Sequence, residues 1–136
     1  MARLLVVDDD PDVRLALKVI LEKAGHEVSQ ADDGVQVKNM VAADRPDLIL
    51  MDVAMPRMTG FQALEMLGSN PRTRDIPVIM VTVKGRPQDL QEAKAQGALD
   101  YINKPWDMGE VELRVGWALN KAARQRSNGA ATHPAR

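Results

Sequence analysis

The chain has no cysteine, which excludes disulfide bonds, thiol chemistry and cysteine-based zinc sites, and which fits a reducing compartment. An excess of charge is also missing: the net charge is −1, so no overall field attracts nucleic acid or an anionic membrane. No apolar run approaches the ~20 residues of a membrane span, and the N-terminal run is too short for a signal-peptide core. We therefore expect a soluble cytoplasmic protein.

What the sequence does have is a regular alternation of short apolar runs and helix-period segments. The apolar runs predict five strands, at Leu4–Val7, Val28–Ala31, Leu48–Met51, Val78–Val81 and Tyr101–Asn103. Apolar residues at helical spacing predict one helix after each strand. Strands that alternate with helices imply an α/β fold in which helices cover both faces of a parallel sheet. For five strands, the common doubly wound solution has the order 2-1-3-4-5.

The length of 136 residues suits a single domain. We predict that this domain spans residues 1–124, and that residues 125–136 are a disordered tail or the start of a linker. The reason is that Ser127–Arg136 shows no apolar periodicity.

Chemically useful side chains stand where four of the predicted strands end. These are Asp8, Asp9 and Asp10 after the first strand, Asp52 after the third, Thr82 after the fourth and Lys104 near the end of the fifth. In a doubly wound sheet, ligands bind beyond the carboxyl ends of the strands, near the switch in strand order. Taken singly, an Asp after a strand is often only a helix cap, and a Lys there is often only a solvated charge. The joint pattern predicts one site at this edge.

Charge repulsion within this predicted site requires a cation. Asp8, Asp9 and Asp52 carry three negative charges and Lys104 returns one positive charge, so the cluster is repulsive until a positive ion joins it. Mg²⁺ is the expected ion, with Mn²⁺ as a substitute, because Mg²⁺ binds carboxylate oxygens and keeps positions open for phosphate oxygens. Asp52 is then the predicted nucleophile that forms an aspartyl phosphate, while Lys104 and Thr82 contact the phosphoryl oxygens.

Asp10 has a different predicted role. It precedes Pro11, and proline is favoured at the first position of a helix. Asp10 is therefore predicted to cap the first helix by accepting a hydrogen bond from a backbone N–H.

Four motifs together resemble the receiver domain of two-component response regulators. They are VVDDDP at 6–11, LILMDVAMPRMTG at 48–60, VIMVTV at 78–83 and GALDYINKPW at 97–106. The resemblance extends over residues 3–124 and implies a CheY-like, flavodoxin-like fold. It also implies a phosphorelay switch, in which a sensor histidine kinase or a histidine phosphotransfer protein donates a phosphoryl group in a Mg²⁺-dependent reaction.

The resemblance implies a role for each matching residue of the acidic cluster. Asp52 matches the phosphoacceptor. Asp9 matches the direct Mg²⁺ ligand, and Asp8 matches the acid that acts on the ion largely through water. Ala54 would supply its backbone carbonyl, so the implied metal-binding set is Asp8, Asp9, Asp52 and Ala54.

Other positions match the part of the family that responds to phosphorylation. Thr82 matches the hydroxyl that moves toward the phosphoryl group, and Lys104 matches the lysine that binds this group. The peptide bond between Lys104 and Pro105 is expected to be cis. Tyr101 matches the aromatic residue whose rotamer follows the switch, although a strand-end tyrosine with a hydrated hydroxyl is an equal alternative.

Two departures from the family pattern lie at the rim of the predicted site. Val83 stands where a small residue is usual, and Lys84 follows it. We expect both to modulate access of the phosphodonor or of the hydrolytic water, so that Val83 changes the lifetime of the aspartyl phosphate. Ala54, in addition, has no side chain that can position that water.

The resemblance also predicts the surface on which phosphorylation is read out. This surface is formed by helix four, strand five and helix five, here roughly residues 87–96, 99–103 and 109–123. A downstream protein partner or an output domain would bind it. Trp106 and Trp117 lie in or beside it, but such tryptophans are as often packing residues, so neither is assigned to partner binding.

Three other functions compete with the switch. A hydrolase of the haloacid dehalogenase type needs a second Asp two residues after its nucleophile, and Ala54 occupies that place, so turnover of an external phosphate ester is not expected. Direct DNA binding lacks both a spare helix-turn-helix unit and a basic charge. Flavin binding lacks a Ser/Thr/Gly-rich phosphate loop after the first strand. We therefore expect a binding switch rather than an enzyme.

Overall fold

The computed structural model describes residues 1–83 and 87–132, with side chains described for 1–83 and 91–126. The strands are β1 (Arg3–Val7), β2 (Glu27–Ala31), β3 (Leu48–Met51), β4 (Val78–Val83) and β5 (Asp100–Lys104). The helices are α1 (Pro11–Lys23), α2 (Gly34–Ala43), α3 (Gly60–Gly68), α4 (Pro87–Ala95) and α5 (Glu110–Thr132). All five predicted strands are therefore present.

The strands form one parallel sheet in the order β2-β1-β3-β4-β5, which confirms the predicted doubly wound α/β fold. The register places Val7 level with Met51, and Met51 level with Met80. The carboxyl ends of the central strands therefore reach the same edge of the sheet, and the residues that follow β1 and β3 are neighbours there.

Two apolar clusters cover the two faces of the sheet. Successive side chains of a strand point to opposite faces, so alternate residues of β1 and β3 belong to different clusters. Leu5 and Ile49 pack in a cluster with residues of α2, α3 and α4, whereas Leu4 and Leu48 pack in a cluster with residues of α1 and α5. Burial on both faces explains why β1, β3 and β4 are almost entirely apolar, and the more polar β2 lies at an edge.

The start of α1 agrees with the sequence prediction. Asp10 is the N-cap, its side chain accepts a hydrogen bond from the Asp12 N–H at 2.9 Å, and Pro11 is the first helical residue. The predicted capping role of Asp10 is confirmed, and it separates Asp10 from the two aspartates that precede it.

The last helix, α5, has helical backbone from Glu110 to Thr132 and so includes residues 125–132, which were predicted to be a disordered tail or the start of a linker. This stretch lacks apolar periodicity and contains Ser127, Asn128 and Gly129, which favour helix poorly, so its helical backbone depends on extension of the helix that packing has already formed before it. The domain boundary at residue 124 stays a prediction, and residues 133–136 lie outside the described part. None of the described helices is long and apolar enough to cross a membrane.

Candidate functional site

The predicted acidic cluster forms at the carboxyl edge of the sheet. Asp8 follows β1 and Asp52 follows β3. One carboxylate oxygen from each of Asp8, Asp9 and Asp52 lies within 4.8 Å of the other two. Asp8 and Asp52 are buried, with 2% and 7% of their surface exposed, whereas Asp9 is exposed. The cluster is therefore anchored in the fold and opens to solvent at Asp9.

Lys104 connects two of these carboxylates. It is the last residue of β5, and its Nζ donates to Asp8 Oδ2 at 2.6 Å and to Asp52 Oδ2 at 3.0 Å. Its side chain is 15% exposed, so these contacts are only weakly screened by water. The contacts bring together residues that are 96 and 52 positions apart in the sequence.

The pKa values of these groups reflect burial and unbalanced charge. Burial raises the pKa of Asp8 above its ordinary value, and hydrogen bonds from Lys104 and from the Asp10 N–H only partly oppose this effect. Burial alone would lower the pKa of Lys104, but hydrogen bonds to Asp8 and Asp52 outweigh it and leave the pKa raised. Lys104 therefore stays protonated, and ionised Asp8 is a group that the fold accommodates at a cost.

The cluster fits a small divalent cation. Its donor set consists of oxygen atoms only, which suits a hard ion such as Mg²⁺. Three carboxylates face one ammonium, so positive charge is in deficit at a partly buried place. The exposed Asp9 leaves room for water molecules and phosphate oxygens, which Mg²⁺ usually keeps in its coordination shell.

Backbone contacts hold the two buried aspartates in place. The Asp8 N–H donates to the Ala31 carbonyl at 3.1 Å, and the Asp52 N–H donates to the Val7 carbonyl at 3.0 Å. The Ala54 N–H in turn donates to Asp52 Oδ1 at 3.2 Å. The backbone hydrogen bonds of the sheet thus continue one residue beyond β1 and β3. They fix the backbone positions from which the Asp8 and Asp52 side chains extend.

Gly60 is a residue that the sequence prediction did not single out for the site. A Cβ atom at this position would lie 2.2 Å from the Asp52 carbonyl oxygen and 2.8 Å from Val53 Cα. Its N–H donates to the Val53 carbonyl at 2.7 Å. Only glycine permits this approach, so the start of α3 packs directly on the backbone of the predicted phosphoacceptor. The sequence feature that could have indicated it is the glycine at the end of the motif LILMDVAMPRMTG.

The remaining predicted residues lie at the ends of β4 and β5. Thr82 is buried near the end of β4, Val83 is 67% exposed at the rim, and Tyr101 is partly buried against the cluster of α2, α3 and α4. The Lys104–Pro105 peptide bond is cis, as the resemblance implied. Lys84 lies outside the described residues, so its predicted role at the rim stays a prediction.

One further ion pair near the site was also missed by the sequence prediction. Asp33, which is 1% exposed, caps α2 and accepts a hydrogen bond from the guanidinium of Arg57. The hydrogen bond from Arg57 is the main reason that the pKa of Asp33 lies below its ordinary value. Neither residue belongs to a strand or helix, so neither apolar periodicity nor strand ends could have paired them.

The predicted readout surface carries an apolar groove between β5 and α5. A cavity of about 860 Å³ lies there, bordered by the exposed side chains of Met108, Leu113 and Trp117. Lys121 Nζ lies 5.1 Å from the centre of the Trp117 ring. Trp106 instead packs partly buried against the cluster of α1 and α5. Side chains of α4 before residue 91 lie outside the described part.

Comparison with known proteins identifies the family. Residues 4–115 match the family described as the response regulator receiver domain. The chain belongs to this family. It is 44% identical over 107 residues to protein PilH of Pseudomonas aeruginosa, which covers 79% of this chain and 88% of that relative. It is 39% identical over 124 residues to the DNA-binding dual master transcriptional regulator RpaA of Synechocystis, which covers 91% of this chain and 52% of that relative.

Solved structures agree with this assignment. The chemotaxis protein CheY4 of Vibrio cholerae has a TM-score of 0.82 and 32% sequence identity, covering 87% of this chain and 98% of that one. A putative response regulator from Chloroflexus aurantiacus has a TM-score of 0.84 and 31% identity, covering 88% and 98%. This receiver domain spans about half the length of relatives such as RpaA, at 52%, and response regulator MprA of Mycobacterium avium, at 51%.

Proposed function

We propose that this receiver domain is a phosphorylation-activated switch of the cytoplasm. Asp52 accepts a phosphoryl group from a sensor histidine kinase or a histidine phosphotransfer protein. The surface of α4, β5 and α5 then changes its affinity for a downstream partner or output domain. The observation that carries the proposal is the contact of Lys104 with both Asp8 and Asp52 inside a cluster of three carboxylates.

The proposed transfer breaks one bond to phosphorus and forms another. An oxygen of Asp52 bonds to phosphorus while the bond from phosphorus to the donor's histidine nitrogen breaks, and the departing imidazole nitrogen takes up a proton. Lys104 lies 3.0 Å from Asp52 and supplies positive charge to the phosphoryl oxygens. Thr82 donates a hydrogen bond from its hydroxyl to the phosphoryl group once transfer is complete.

The acidic residues have a separate role in this scheme. Asp8, Asp9, Asp52 and the Ala54 carbonyl would hold Mg²⁺, which supplies two positive charges beside the phosphoryl oxygens when it is bound. Lys104 alone cannot offset three carboxylates and an incoming phosphoryl group. The exposed side of Asp9 gives the phosphodonor an open approach.

We infer that the domain does not turn over an external substrate. A phosphate-ester hydrolase needs a general acid beside the nucleophile, and Ala54 offers only its methyl group two residues after Asp52. The domain phosphorylates itself from a donor and loses the phosphoryl group by hydrolysis of its own aspartyl phosphate. Because RpaA is a DNA-binding regulator of which this chain spans about half, we propose that any DNA contact belongs to a separate output domain.

The test is incubation of wild type and Asp52→Asn with acetyl phosphate, with Mg²⁺ or with chelator. Wild type should gain acid-stable, base-labile phosphate only in Mg²⁺, and Asp52→Asn should gain none. An equal gain by the variant, or no gain by wild type, contradicts the proposal. Replacement of Mg²⁺ by Mn²⁺ should preserve the reaction, since both are hard ions that bind oxygen ligands.

Val83 is proposed to set the lifetime of the phosphorylated state. Its side chain is 67% exposed at the end of β4, directly after Thr82, where it narrows the approach of water. Val83→Ala should therefore change the dephosphorylation rate, measured after the phosphodonor has been removed. Equal rates for variant and wild type contradict this role.

A further inference from the structure

A second charged contact joins the start of α2 to the loop that follows β3. Asp33 is 1% exposed and uses its two carboxylate oxygens differently. Oδ1 accepts from the Gln36 N–H at 3.0 Å and caps the helix, while Oδ2 accepts from Nη2 of Arg57. The Arg57 side chain is 68% exposed, so the buried carboxylate pairs with a side chain that otherwise lies largely in solvent.

Arg57 belongs to the segment that carries the phosphoacceptor. We call residues 52–59, between β3 and α3, the phosphoacceptor loop. Arg57 has a φ of 66°, the left-handed region that an arginine adopts only when its surroundings hold it there. On either side of it, the Met58 N–H donates to the Pro56 carbonyl and the Gly60 N–H donates to the Val53 carbonyl, both at 2.7 Å.

The same two segments also touch through their backbones. A Cβ atom at Gly34, the residue after Asp33, would lie 3.0 Å from the Met58 side chain and from its carbonyl oxygen. The start of α2 is thus packed against the phosphoacceptor loop at Met58 and bound to it electrostatically at Arg57. Two adjacent contacts of different kinds therefore hold the second half of this loop, at Arg57 and Met58.

We propose that the Asp33–Arg57 pair positions the phosphoacceptor loop for cation binding. It holds the loop in the conformation in which the Ala54 N–H donates to Asp52 Oδ1 and Asp52 joins the acidic cluster. Asp33 and Arg57 are positioning residues, since they act through the loop and not on the phosphoryl group. The part of this inference that concerns cation binding rests on the proposed function. The effect of the pair on the loop does not, because it can be measured without metal.

Two single substitutions isolate the pair. Asp33→Asn keeps the Oδ1 acceptor that caps α2, but it replaces Oδ2 with an amide that donates and cannot accept from Arg57. Arg57→Gln removes the guanidinium and leaves Asp33 unchanged. The matched control is Arg3→Gln, because Arg3 is 58% exposed and pairs with Asp44, the C-cap of the same helix at the opposite edge of the sheet.

Hydrogen exchange in chelator measures the loop directly. Both variants should speed exchange of the Met58 and Gly60 amides severalfold relative to wild type, while Arg3→Gln leaves them unchanged. The double variant should exchange no faster than either single variant, since both remove one interaction. Unchanged exchange in Asp33→Asn and Arg57→Gln overturns the proposal.

Calorimetric titration with MgCl₂ measures the consequence at the site. Both variants should bind Mg²⁺ roughly 10-fold more weakly than wild type, a loss at the lower end of the range seen when groups that orient metal ligands are removed. Faster loop exchange with unchanged Mg²⁺ affinity contradicts positioning and leaves only a stabilising contact. If wild type itself does not bind Mg²⁺, the proposed function is overturned. The titration thus distinguishes failure of the proposed function from failure of the proposed role of the Asp33–Arg57 pair.

Discussion

Lys104 and Arg114 each hold two carboxylates, but they do so in different surroundings. The side chain of Lys104 is 15% exposed, and that of Arg114 is 40% exposed. At Arg114 the partners are Asp100 and Glu110, on the surface between β5 and α5. Hydrogen bonding to Asp100 raises the pKa of Arg114, and water and salt screen what remains of the interaction.

The partners of Lys104 are deeper, and a third carboxylate joins them. Burial raises the pKa of Asp8, and no comparable screening is available there. An excess of acids over bases is therefore tolerated at the surface, where water screens it, but leaves a partly buried cluster short of positive charge. The imbalance indicates a site that is completed by a cation, whereas the surface cluster needs none.

Substitution of the positively charged side chain should have a much larger effect on stability at Lys104 than at Arg114. In chelator, Lys104→Gln should lower the free energy of unfolding by about 3 kcal/mol, because it leaves buried carboxylates unpaired. Arg114→Gln should cost less than about 1 kcal/mol, as exposed ion pairs usually do. Urea melts of both variants measure the two losses, and losses of similar size would contradict the distinction.

Removal of one acid should have opposite effects with and without metal. The folded-state pKa of Asp8 is raised, so its ionisation opposes folding as the pH rises through that pKa. In chelator at neutral pH, Asp8→Asn should therefore be more stable than wild type. Asp9→Ala should be more stable as well, because it removes one of three neighbouring carboxylates. Saturation with Mg²⁺ at about 100 times its Kd should add about 2.7 kcal/mol to wild type and less to the variants.

Thermal melts in both conditions decide this prediction. Asp12→Asn is the control, since Asp12 is an exposed acid in the first turn of α1. A destabilised Asp8→Asn or Asp9→Ala in chelator would show that charge repulsion does not control the stability of the cluster.

Asp10, unlike Asp8 and Asp9, should affect stability independently of metal. Asp10→Ala removes the N-cap of α1 and should lower the free energy of unfolding by about 1 kcal/mol. The loss should be the same in chelator and in Mg²⁺. A loss that appears only in Mg²⁺ would place Asp10 in the metal site.

The smallest expected effect is a pH dependence at Asp33. Its pKa is lowered in the folded state, chiefly by the hydrogen bond from Arg57, so the unfolded state binds more protons in acid. The stabilisation is present above the ordinary pKa and is lost as the pH falls through the folded-state pKa. The stability difference between wild type and Arg57→Gln should shrink with acidity, and a constant difference in urea melts would contradict this origin.

The positions of the strands and of the residues that follow them could be predicted from the sequence. Fully apolar runs such as Leu48–Met51 specify strands buried on both faces, and the polar residue that ends each run must then lie at the carboxyl edge. The capping role of Asp10 followed equally from its neighbour Pro11. The gathering of Asp8, Asp9 and Asp52 is a consequence of strand order, which local pattern and topology rules determine.

Contacts between loops were not predictable in this way. The Asp33–Arg57 pair depends on how the start of α2 packs on the loop after β3, and no periodicity encodes that distance.

We propose different functions for the three carboxylates at this edge of the sheet, with Asp52 as the acceptor and Asp8 and Asp9 as holders of the cation. The direct measurement is treatment of phosphorylated wild type with borohydride, which reduces an aspartyl phosphate to homoserine, followed by tandem mass spectrometry. We expect homoserine at position 52 alone, and only after reaction in Mg²⁺. Homoserine at position 8 or 9, or at position 52 after reaction in chelator, would contradict it.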